Sequence, residues 1–136
     1  MSERLNVIVL CGGFGTRIKS SIGNLPKILA PINGIPFLTY FLQWLDPILS
    51  IEDVQLTFSA FYNFKPILNY IEEYKINCNL AIDSKPYGTF GASCNATLKY
   101  PSDNYLILNG DTIFFADLVS IYNLFLKNNE LPFLIL

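Results

Sequence analysis

Residues 7–27, VIVLCGGFGTRIKSSIGNLPK, decide the fold because they join an apolar strand to a glycine-rich loop. The stretch opens with four consecutive apolar residues, 7–10, a run typical of a strand covered on both faces. Gly12, Gly13 and Gly15 follow at once. Because glycine has no Cβ, the amides of such a loop can approach an anion closely. The stretch therefore predicts a strand followed by a phosphate-binding loop.

Two cationic residues accompany the loop. Arg17 closes it with a planar guanidinium that suits a phosphate, and Lys27 follows ten residues later, directly after Pro26. The P-loop pattern is excluded because Thr16 and Arg17 follow the last loop glycine in place of Lys and Ser or Thr. The dinucleotide fingerprint is excluded because Ile18 stands where its third glycine is required.

Length and composition describe one small domain with an unusually apolar surface. The 136 residues are enough to bury a core. Charged residues make up 15% of the chain, against about 25% in ordinary soluble domains, and aromatic residues make up another 15%. We expect either a buried homo-oligomer interface or a missing portion of the fold. The net charge of −2 predicts no broad attraction for nucleic acid or an anionic membrane.

Other features exclude several kinds of chemistry. The apolar runs fall short of membrane-spanning length, and Glu3 and Arg4 replace a signal peptide's apolar core, so we expect a cytoplasmic protein. Cys11, Cys78 and Cys94 form no metal-binding or disulfide pattern and are predicted to be core residues. The chain has no histidine, so its chemistry must use Lys, Arg, carboxylates and backbone amides.

Apolar runs typical of strands alternate with segments of helical periodicity. The predicted strands are residues 7–10, 54–61, 79–83, 105–108 and 131–136. One predicted helix begins at Pro36, and three others cover residues 66–75, 90–100 and 116–127. A helical turn is predicted at 17–21. This alternation predicts an α/β fold with a parallel sheet and right-handed crossovers.

Three loops follow the carboxyl ends of these strands, where ligands bind in such sheets. They are residues 11–17, 86–92 and 109–111. Because all three lie at the same edge of the sheet, we expect them to converge on one cleft.

The pattern Gly-Gly-x-Gly-Thr-Arg at residues 12–17, followed by Pro26-Lys27, resembles the signature of the sugar-phosphate nucleotidylyltransferases. These enzymes join a nucleoside triphosphate to a sugar 1-phosphate and release pyrophosphate. The sequence of residues 25–38 is similar to that of enzymes in the heptose 1-phosphate and mannose-1-phosphate guanylyltransferase branch. The resemblance implies a Rossmann-like three-layer αβα sandwich of the nucleotide-diphospho-sugar transferase type. It further implies GTP and a heptose or hexose 1-phosphate as substrates, in surface polysaccharide synthesis.

The resemblance covers this chain but only the amino-terminal half of the family's domain. Residues 1–136 would therefore be a truncated nucleotidyltransferase domain, its nucleotide-binding portion. The missing half would carry further strands, much of the sugar pocket and a second metal-binding aspartate. We expect residues 131–136 to begin a strand that the missing part would cover.

The resemblance also implies roles for individual residues. Arg17, Lys27 and Asp111 are the expected catalytic residues: Arg17 would contact the β- and γ-phosphates, Lys27 would neutralise the α-phosphate and the sugar phosphate, and Asp111 would hold Mg²⁺. Sugar-phosphate binding is expected from Lys27, Asn109 and Gly110. Nucleotide binding is expected from Leu10, Cys11, Gly12, Gly13, Gly15, Thr16, Arg17, Gly88 and Thr89.

Simpler interpretations of these residues stay open. Lys27 could be an exposed lysine beside a turn, and Asp111 a turn or helix-capping residue. Asp83 and Asp117 are weaker metal candidates, and Asp117 is predicted to be solvated or to cap a helix.

The second loop departs from the family pattern. Residues 86–92, PYGTFGA, are similar to the family's Pro-Leu-Gly-Thr-Gly-Gly-Ala segment, whose small residues let the backbone approach the nucleobase and sugar. Tyr87 stands in place of the leucine and Phe90 in place of a glycine, so we expect the phenyl ring to crowd the sugar pocket or shift its specificity. The alternative is that Gly88 and Gly91 serve only turn and helix-start geometry.

Two classes of function remain: an enzyme that makes a nucleoside diphosphate sugar, and a truncated, inactive nucleotide-binding or regulatory module. A nicotinamide dehydrogenase is disfavoured because its glycine pattern does not match.

Overall fold

The structure, a computed structural model, describes residues 3–13, 23–128 and 132. In those residues six strands and four α-helices alternate, with one short 3₁₀-helix. The strands are β1 (Leu5–Leu10), β2 (Pro31–Ile32), β3 (Ile35–Pro36), β4 (Val54–Ala60), β5 (Asn79–Ile82) and β6 (Asn104–Asn109). The α-helices are α1 (Phe37–Leu49), α2 (Lys65–Glu73), α3 (Gly88–Lys99) and α4 (Leu118–Lys127), and the 3₁₀-helix covers Lys27–Leu29.

Four of the strands form one parallel sheet in the order β5-β4-β1-β6. The chain moves outward from β1 through β4 to β5 and then returns to the other side of β1 as β6. Strand order therefore reverses between β1 and β6, whose carboxyl ends are in register, with Leu10 opposite Asn109. The predicted α/β fold with a parallel sheet is confirmed, and the reversal marks the place where such sheets bind ligands.

The two faces of the sheet are packed unequally. Helices α1, α2 and α4 bury large side chains against one face, including Phe41, Leu45 and Ile67, which meet Val7 and Phe58 of the strands. The aromatic residues Phe37, Phe41 and Trp44 of α1 thus lie in this core or pack against it.

The opposite face, under α3, has a small core of Ile8, Ala81 and Ala96. Buried polar groups complete this layer: the Thr57 hydroxyl donates to Asn6 Oδ1 at 2.8 Å, and Asn6 Nδ2 donates to the Tyr100 carbonyl at 3.0 Å. Because both buried partners are satisfied, these bonds fix the carboxyl end of α3 on the sheet.

The observed boundaries differ from the predicted ones at several elements. Helix α3 begins at Gly88, two residues before the predicted start, and α4 begins at Leu118. Asp117 caps α4 by accepting from the amides of Val119 and Ser120, which confirms its interpretation as a capping residue. The predicted helical turn at 17–21 and the predicted strand at 131–136 lie outside the described residues, apart from Pro132.

A short hairpin of β2 and β3 was not predicted. Asn33 and Gly34 form its two-residue turn with φ of 51° and 80°. Two successive positive φ values are the mark of a type I′ turn, for which Asn-Gly is the preferred sequence. No helix in residues 23–128 has both the length and the apolarity needed to cross a membrane.

Candidate functional site

The carboxyl ends of β1 and β6 meet at Gly110, which comes directly after β6. Its amide donates to the Leu10 carbonyl at 2.8 Å. A Cβ on Gly110 would lie 2.8 Å from that carbonyl oxygen and 3.1 Å from Ile28 Cδ1, so only glycine fits without displacing backbone. This close approach brings the residue that follows, Asp111, next to the 3₁₀-helix that begins at Lys27.

Lys27 and Asp111 form an ion pair across this edge. Lys27 Nζ donates to Asp111 Oδ2 at 2.6 Å, although the two residues are 84 positions apart in the chain. Their side chains are 50% and 38% exposed, so both charged groups remain open to a ligand from solvent. The other carboxylate oxygen, Oδ1, accepts from the Thr112 hydroxyl at 3.0 Å.

Electrostatics keep this carboxylate ionised. The hydrogen bond from Lys27 is the largest influence and lowers the pKa of Asp111 below its ordinary value, with a smaller contribution from Thr112. Partial burial opposes the shift. Asp111 therefore presents a full negative charge at neutral pH.

The surroundings hold both partners in place. Lys27 opens the 3₁₀-helix, whose turns are closed by the amides of Leu29 and Ala30 donating to the carbonyls of Pro26 and Lys27. On the other side, Phe114 packs edge-on against Trp44 of α1, with ring centroids 4.9 Å apart. The segment after Asp111 is thereby fixed to the main core.

The described part of the first loop leaves the same edge. The Cys11 amide donates to the Ser59 carbonyl at 2.8 Å and so prolongs the pairing of β1 with β4. Within residues 3–13 and 23–128, the amides of Gly12 and Gly13 donate to no backbone carbonyl. A Cβ on Gly12 would lie 3.4 Å from Phe61, whereas one on Gly13 would meet nothing within 4 Å. Gly15, Thr16 and Arg17 lie outside the described residues.

Two of the three cysteines, Cys11 and Cys78, lie in surroundings that disfavour the thiolate. Burial is the main cause that raises the pKa of Cys11 to about 12, and burial raises the pKa of Cys78 to about 11. Both thiols are therefore protonated at neutral pH, and both pack against the main core, as predicted for these two residues.

The second loop and the start of α3 are exposed. Residues 84–90 all face solvent. Gly88 has φ of +73°, and a Cβ on Gly91 would lie 2.6 Å from Tyr87 Cβ. Local backbone geometry therefore favours glycine at both positions. The expected binding of nucleotide by Gly88 and Thr89 stays a prediction, although both lie at the carboxyl edge of the sheet, after β5.

Sequence reasoning missed the group that anchors this loop. Asp83 is buried; its amide donates to the Ala60 carbonyl at 2.8 Å, and its Oδ1 accepts from Asn95 Nδ2 at 2.6 Å. Asp83, one of the weaker metal candidates, thus links the end of β5 to α3 by a hydrogen bond. Nothing in the sequence pattern marks Asn95 as its partner, because the pair forms only when the helix packs on the sheet.

The residues fit a magnesium ion with one protein carboxylate. In residues 3–13 and 23–128, no three Cys, Asp or Glu side chains gather into a metal-binding group. Magnesium requires fewer protein ligands, because it keeps several waters and is commonly held by one or two carboxylates and substrate phosphates. Asp111, ionised and partly exposed at the point of strand reversal, has the required chemistry.

Comparison with known proteins identifies the family and the fold. Residues 7–122 match the family described as MobA-like NTP transferase domain. The D-glycero-alpha-D-manno-heptose 1-phosphate guanylyltransferase of Campylobacter jejuni is 40% identical over 116 residues, which cover 84% of this chain and 51% of that protein. The enzyme of the same name from Aneurinibacillus thermoaerophilus is 38% identical, covering 84% of this chain and 49% of its own.

Solved structures show the same fold. The crystal structure of HddC from Yersinia pseudotuberculosis complexed with GMP-PN has a TM-score of 0.73 and 30% identity, covering 90% of this chain and 54% of that one. The crystal structure named as a putative glucose-1-phosphate thymidylyltransferase from Bacillus anthracis has the same fold, with a TM-score of 0.70 at 19% identity. This chain covers 50% of that chain. The chain thus spans about half the length of the relatives it matches.

Proposed function

The chain belongs to the MobA-like NTP transferase domain family, and on that premise we propose that it is the nucleotide-binding part of a sugar 1-phosphate nucleotidylyltransferase. The observation that carries the proposal is the contact of 2.6 Å between Lys27 and Asp111 at the reversal of strand order. A cation and an anion held together beside a glycine-rich loop suit a triphosphate, which needs both positive groups and a metal ligand.

The proposed reaction exchanges one phosphoanhydride for another. An oxygen of the sugar 1-phosphate attacks the α-phosphorus of the nucleoside triphosphate, the bond from that phosphorus to the β-phosphate oxygen breaks, and pyrophosphate leaves. Negative charge builds up on the transferring phosphoryl group, so catalysis consists mainly of positioning and electrostatic stabilisation. No enzyme nucleophile is needed, in keeping with the protonated thiols of Cys11 and Cys78.

Individual residues take the following proposed roles. The ammonium of Lys27 neutralises the α-phosphate and the incoming sugar phosphate, and Asn109 and Gly110 line the sugar-phosphate side. The amides of Gly12 and Gly13, with Arg17, bind the terminal phosphates. Asp111 would hold Mg²⁺, which supplies positive charge to the triphosphate oxygens.

The substrates are proposed from the relatives. GTP and a heptose or hexose 1-phosphate are favoured because relatives with 38–40% identity are named as heptose 1-phosphate guanylyltransferases. The product would be a GDP-sugar made in the cytoplasm for a surface polysaccharide.

A second candidate is a nucleotide-binding module that does not catalyse the transfer reaction. It is favoured by one observation, that Phe90 stands in place of a glycine of the similar family segment in the second loop. Such a module would keep the triphosphate loop and act through a partner chain.

Pyrophosphate release from GTP, tested with a panel of sugar 1-phosphates in the presence of Mg²⁺, separates the two candidates. Turnover supports the enzyme, whereas GTP binding without turnover supports the module. If the chain is an enzyme, Asp111→Asn should abolish turnover. If it is a binding module, the same substitution should abolish the magnesium dependence of GTP binding. Asp103→Asn is the matched control, because Asp103 is also an exposed, ion-paired aspartate but lies at the opposite end of β6. Absence of both binding and turnover would refute both candidates.

A further inference from the structure

Three aromatic residues of α1 form a row of rings in contact. Phe37, Phe41 and Trp44 are spaced by four and three positions, which puts them on one face of the helix. The ring centroids of Phe37 and Phe41 are 5.9 Å apart, and those of Phe41 and Trp44 are 5.5 Å apart. Phe41 is fully buried, and the two outer rings pack against the same core. The row is therefore fixed to the body of the domain.

Phe114 adds a fourth ring to this row. It meets Trp44 edge-on, with ring centroids 4.9 Å apart and an angle of 71° between the ring planes, an arrangement that aromatic pairs favour. Phe114 lies in the segment that joins Asp111 to α4 and that contains no helix or strand. Its neighbours Ile113 and Phe115 are exposed, whereas Phe114 packs against the main core.

The backbone does little to hold this segment. Within the part of the chain that the structure describes, the amides of residues 111–115 donate to no backbone carbonyl. The first such bond after Gly110 is a local one, in which the Ala116 amide donates to the Phe114 carbonyl at 2.9 Å. The contact of the Phe114 ring with Trp44 is therefore what attaches the middle of the segment to the core.

The other end of the row is joined to Lys27. Phe37, the first residue of α1, donates its amide to the Ala30 carbonyl at 2.9 Å, and the Ala30 amide donates to the Lys27 carbonyl at 3.1 Å. Helix α1 thus holds the 3₁₀-helix of Lys27 at its start and the segment of Asp111 through Trp44. The contact of 2.6 Å between Lys27 Nζ and Asp111 Oδ2 closes this circuit.

We propose that Phe114 is a positioning residue that, through the rings of α1, holds Asp111 opposite Lys27 so that the carboxylate can take Mg²⁺ together with a triphosphate. The inference rests on the proposed function. The ion pair of Lys27 and Asp111 is exposed, and exposed pairs constrain geometry weakly. Packed aromatic rings resist displacement, and a metal ligand that moves by a fraction of an ångström loses much of its effect. The aromatic row supplies the rigidity that the ion pair lacks.

Calorimetric titration of the full chain with GTP, once with Mg²⁺ and once with EDTA, tests this assignment. In the wild-type chain Mg²⁺ should strengthen GTP binding, because Asp111 takes part in holding the metal. Phe114→Leu keeps an apolar side chain but removes the ring. It should reduce the gain in affinity from Mg²⁺ about tenfold, while the affinity in EDTA stays the same.

Two further variants at this position sharpen the test. Phe114→Tyr keeps the ring and should keep the gain from Mg²⁺. Phe114→Met is a second variant without a ring, and its flexible side chain can fill the gap if Phe114→Leu does not fold. It should show the same reduced gain. A fold that is merely loosened would weaken binding with and without Mg²⁺ alike, so the ratio of the two affinities isolates the position of Asp111.

Tyr74→Leu is the matched control. Tyr74 forms another aromatic pair with Tyr70, with ring centroids 4.5 Å apart, but it follows α2 and leads to the start of β5, at the amino edge of the sheet. Loss of this pair should leave both affinities unchanged.

An undiminished gain from Mg²⁺ in Phe114→Leu would overturn the inference and leave the proposed function intact. So would an equal loss of affinity with and without Mg²⁺. A wild-type chain that binds GTP without any gain from Mg²⁺ would remove Asp111 as a metal ligand, and this inference with it, but not nucleotide binding. A wild-type chain that binds no GTP in either titration would overturn the proposed function as well.

Discussion

Arg4 and Asp103 form an ion pair at the amino ends of β1 and β6, and Lys27 and Asp111 form another at their carboxyl ends. Both pairs are exposed. The first joins the starts of β1 and β6, whereas the second joins the 3₁₀-helix to the segment that follows β6. At the amino end, the Arg4 amide itself donates to Asp103 Oδ2 at 2.9 Å, and the guanidinium Nε adds a longer contact of 3.4 Å. The pair is thus an extension of strand pairing.

At the carboxyl end, the contact is made by the side chain of Lys27 alone, from a separate 3₁₀-helix. Exposed ion pairs contribute little to stability, so neither pair explains the fold. What distinguishes the second pair is its position, at the carboxyl ends of the strands where strand order reverses. The comparison teaches that location on the sheet, rather than the presence of paired charges, identifies the candidate site.

The largest expected difference between the two ends is in activity. Lys27→Ala should reduce pyrophosphate release by about 10²–10³-fold, because a preorganised positive group is lost where charge develops in the transition state. If the chain binds without turnover, the corresponding loss should appear in GTP affinity. Arg4→Ala, the matched control, should leave either quantity within about twofold, since its charge is at the far end of the strands. Near-normal activity of Lys27→Ala would remove Lys27 from the mechanism.

A second prediction concerns the glycine that brings the strand ends together. Gly110→Ala should lower the free energy of unfolding by about 1–3 kcal/mol, because its Cβ would press on the Leu10 carbonyl and Ile28. Gly13→Ala is the control: its Cβ would meet nothing within 4 Å, so urea denaturation should change by less than about 0.5 kcal/mol. Equal stability of the two variants would show that the strand ends can separate without cost.

Much of the fold can be predicted from the sequence because burial leaves a strong pattern. The apolar runs at β1, β4 and β6 and the helical periodicity of α1 reflect direct contact with the core. The turn of Asn33 and Gly34 also has a sequence signal, the Asn-Gly pair, so that hairpin could have been predicted. The start of α3 was misplaced because Gly88 adopts a positive φ inside the first turn, where glycine normally argues for a loop.

The site is only partly predictable. Convergence of the strand-end loops follows from parallel topology, and the hydrogen bond from the Gly110 amide to the Leu10 carbonyl agrees with it where the first and third loops begin. The contact between Lys27 and Asp111 depends on how the 3₁₀-helix packs beside Gly110, which no local pattern encodes. The tether of Asp83 to Asn95 is missing from the prediction for the same reason, since it too is a tertiary contact.

The smallest expected effect is a difference in titration between the two aspartates, and it tests how each end is built. The pKa of Asp111 is lowered chiefly by the hydrogen bond from the Lys27 side chain, whereas that of Asp103 is lowered chiefly by the backbone amide of Arg4. Lys27→Met should therefore return the pKa of Asp111 most of the way to its ordinary value. Arg4→Met should raise the pKa of Asp103 less, because the amide remains.

Carboxyl titration followed by NMR measures both shifts. Because each folded-state pKa is depressed, each pair stabilises the fold above the ordinary carboxyl pKa, and this contribution is lost as the pH falls through the depressed value. Both side chains are exposed, so the change in acid stability should be slight at either end. Equal pKa changes in the two variants would mean that side-chain charge controls both aspartates alike, and the contrast between a strand-pairing contact and a side-chain contact would then fail.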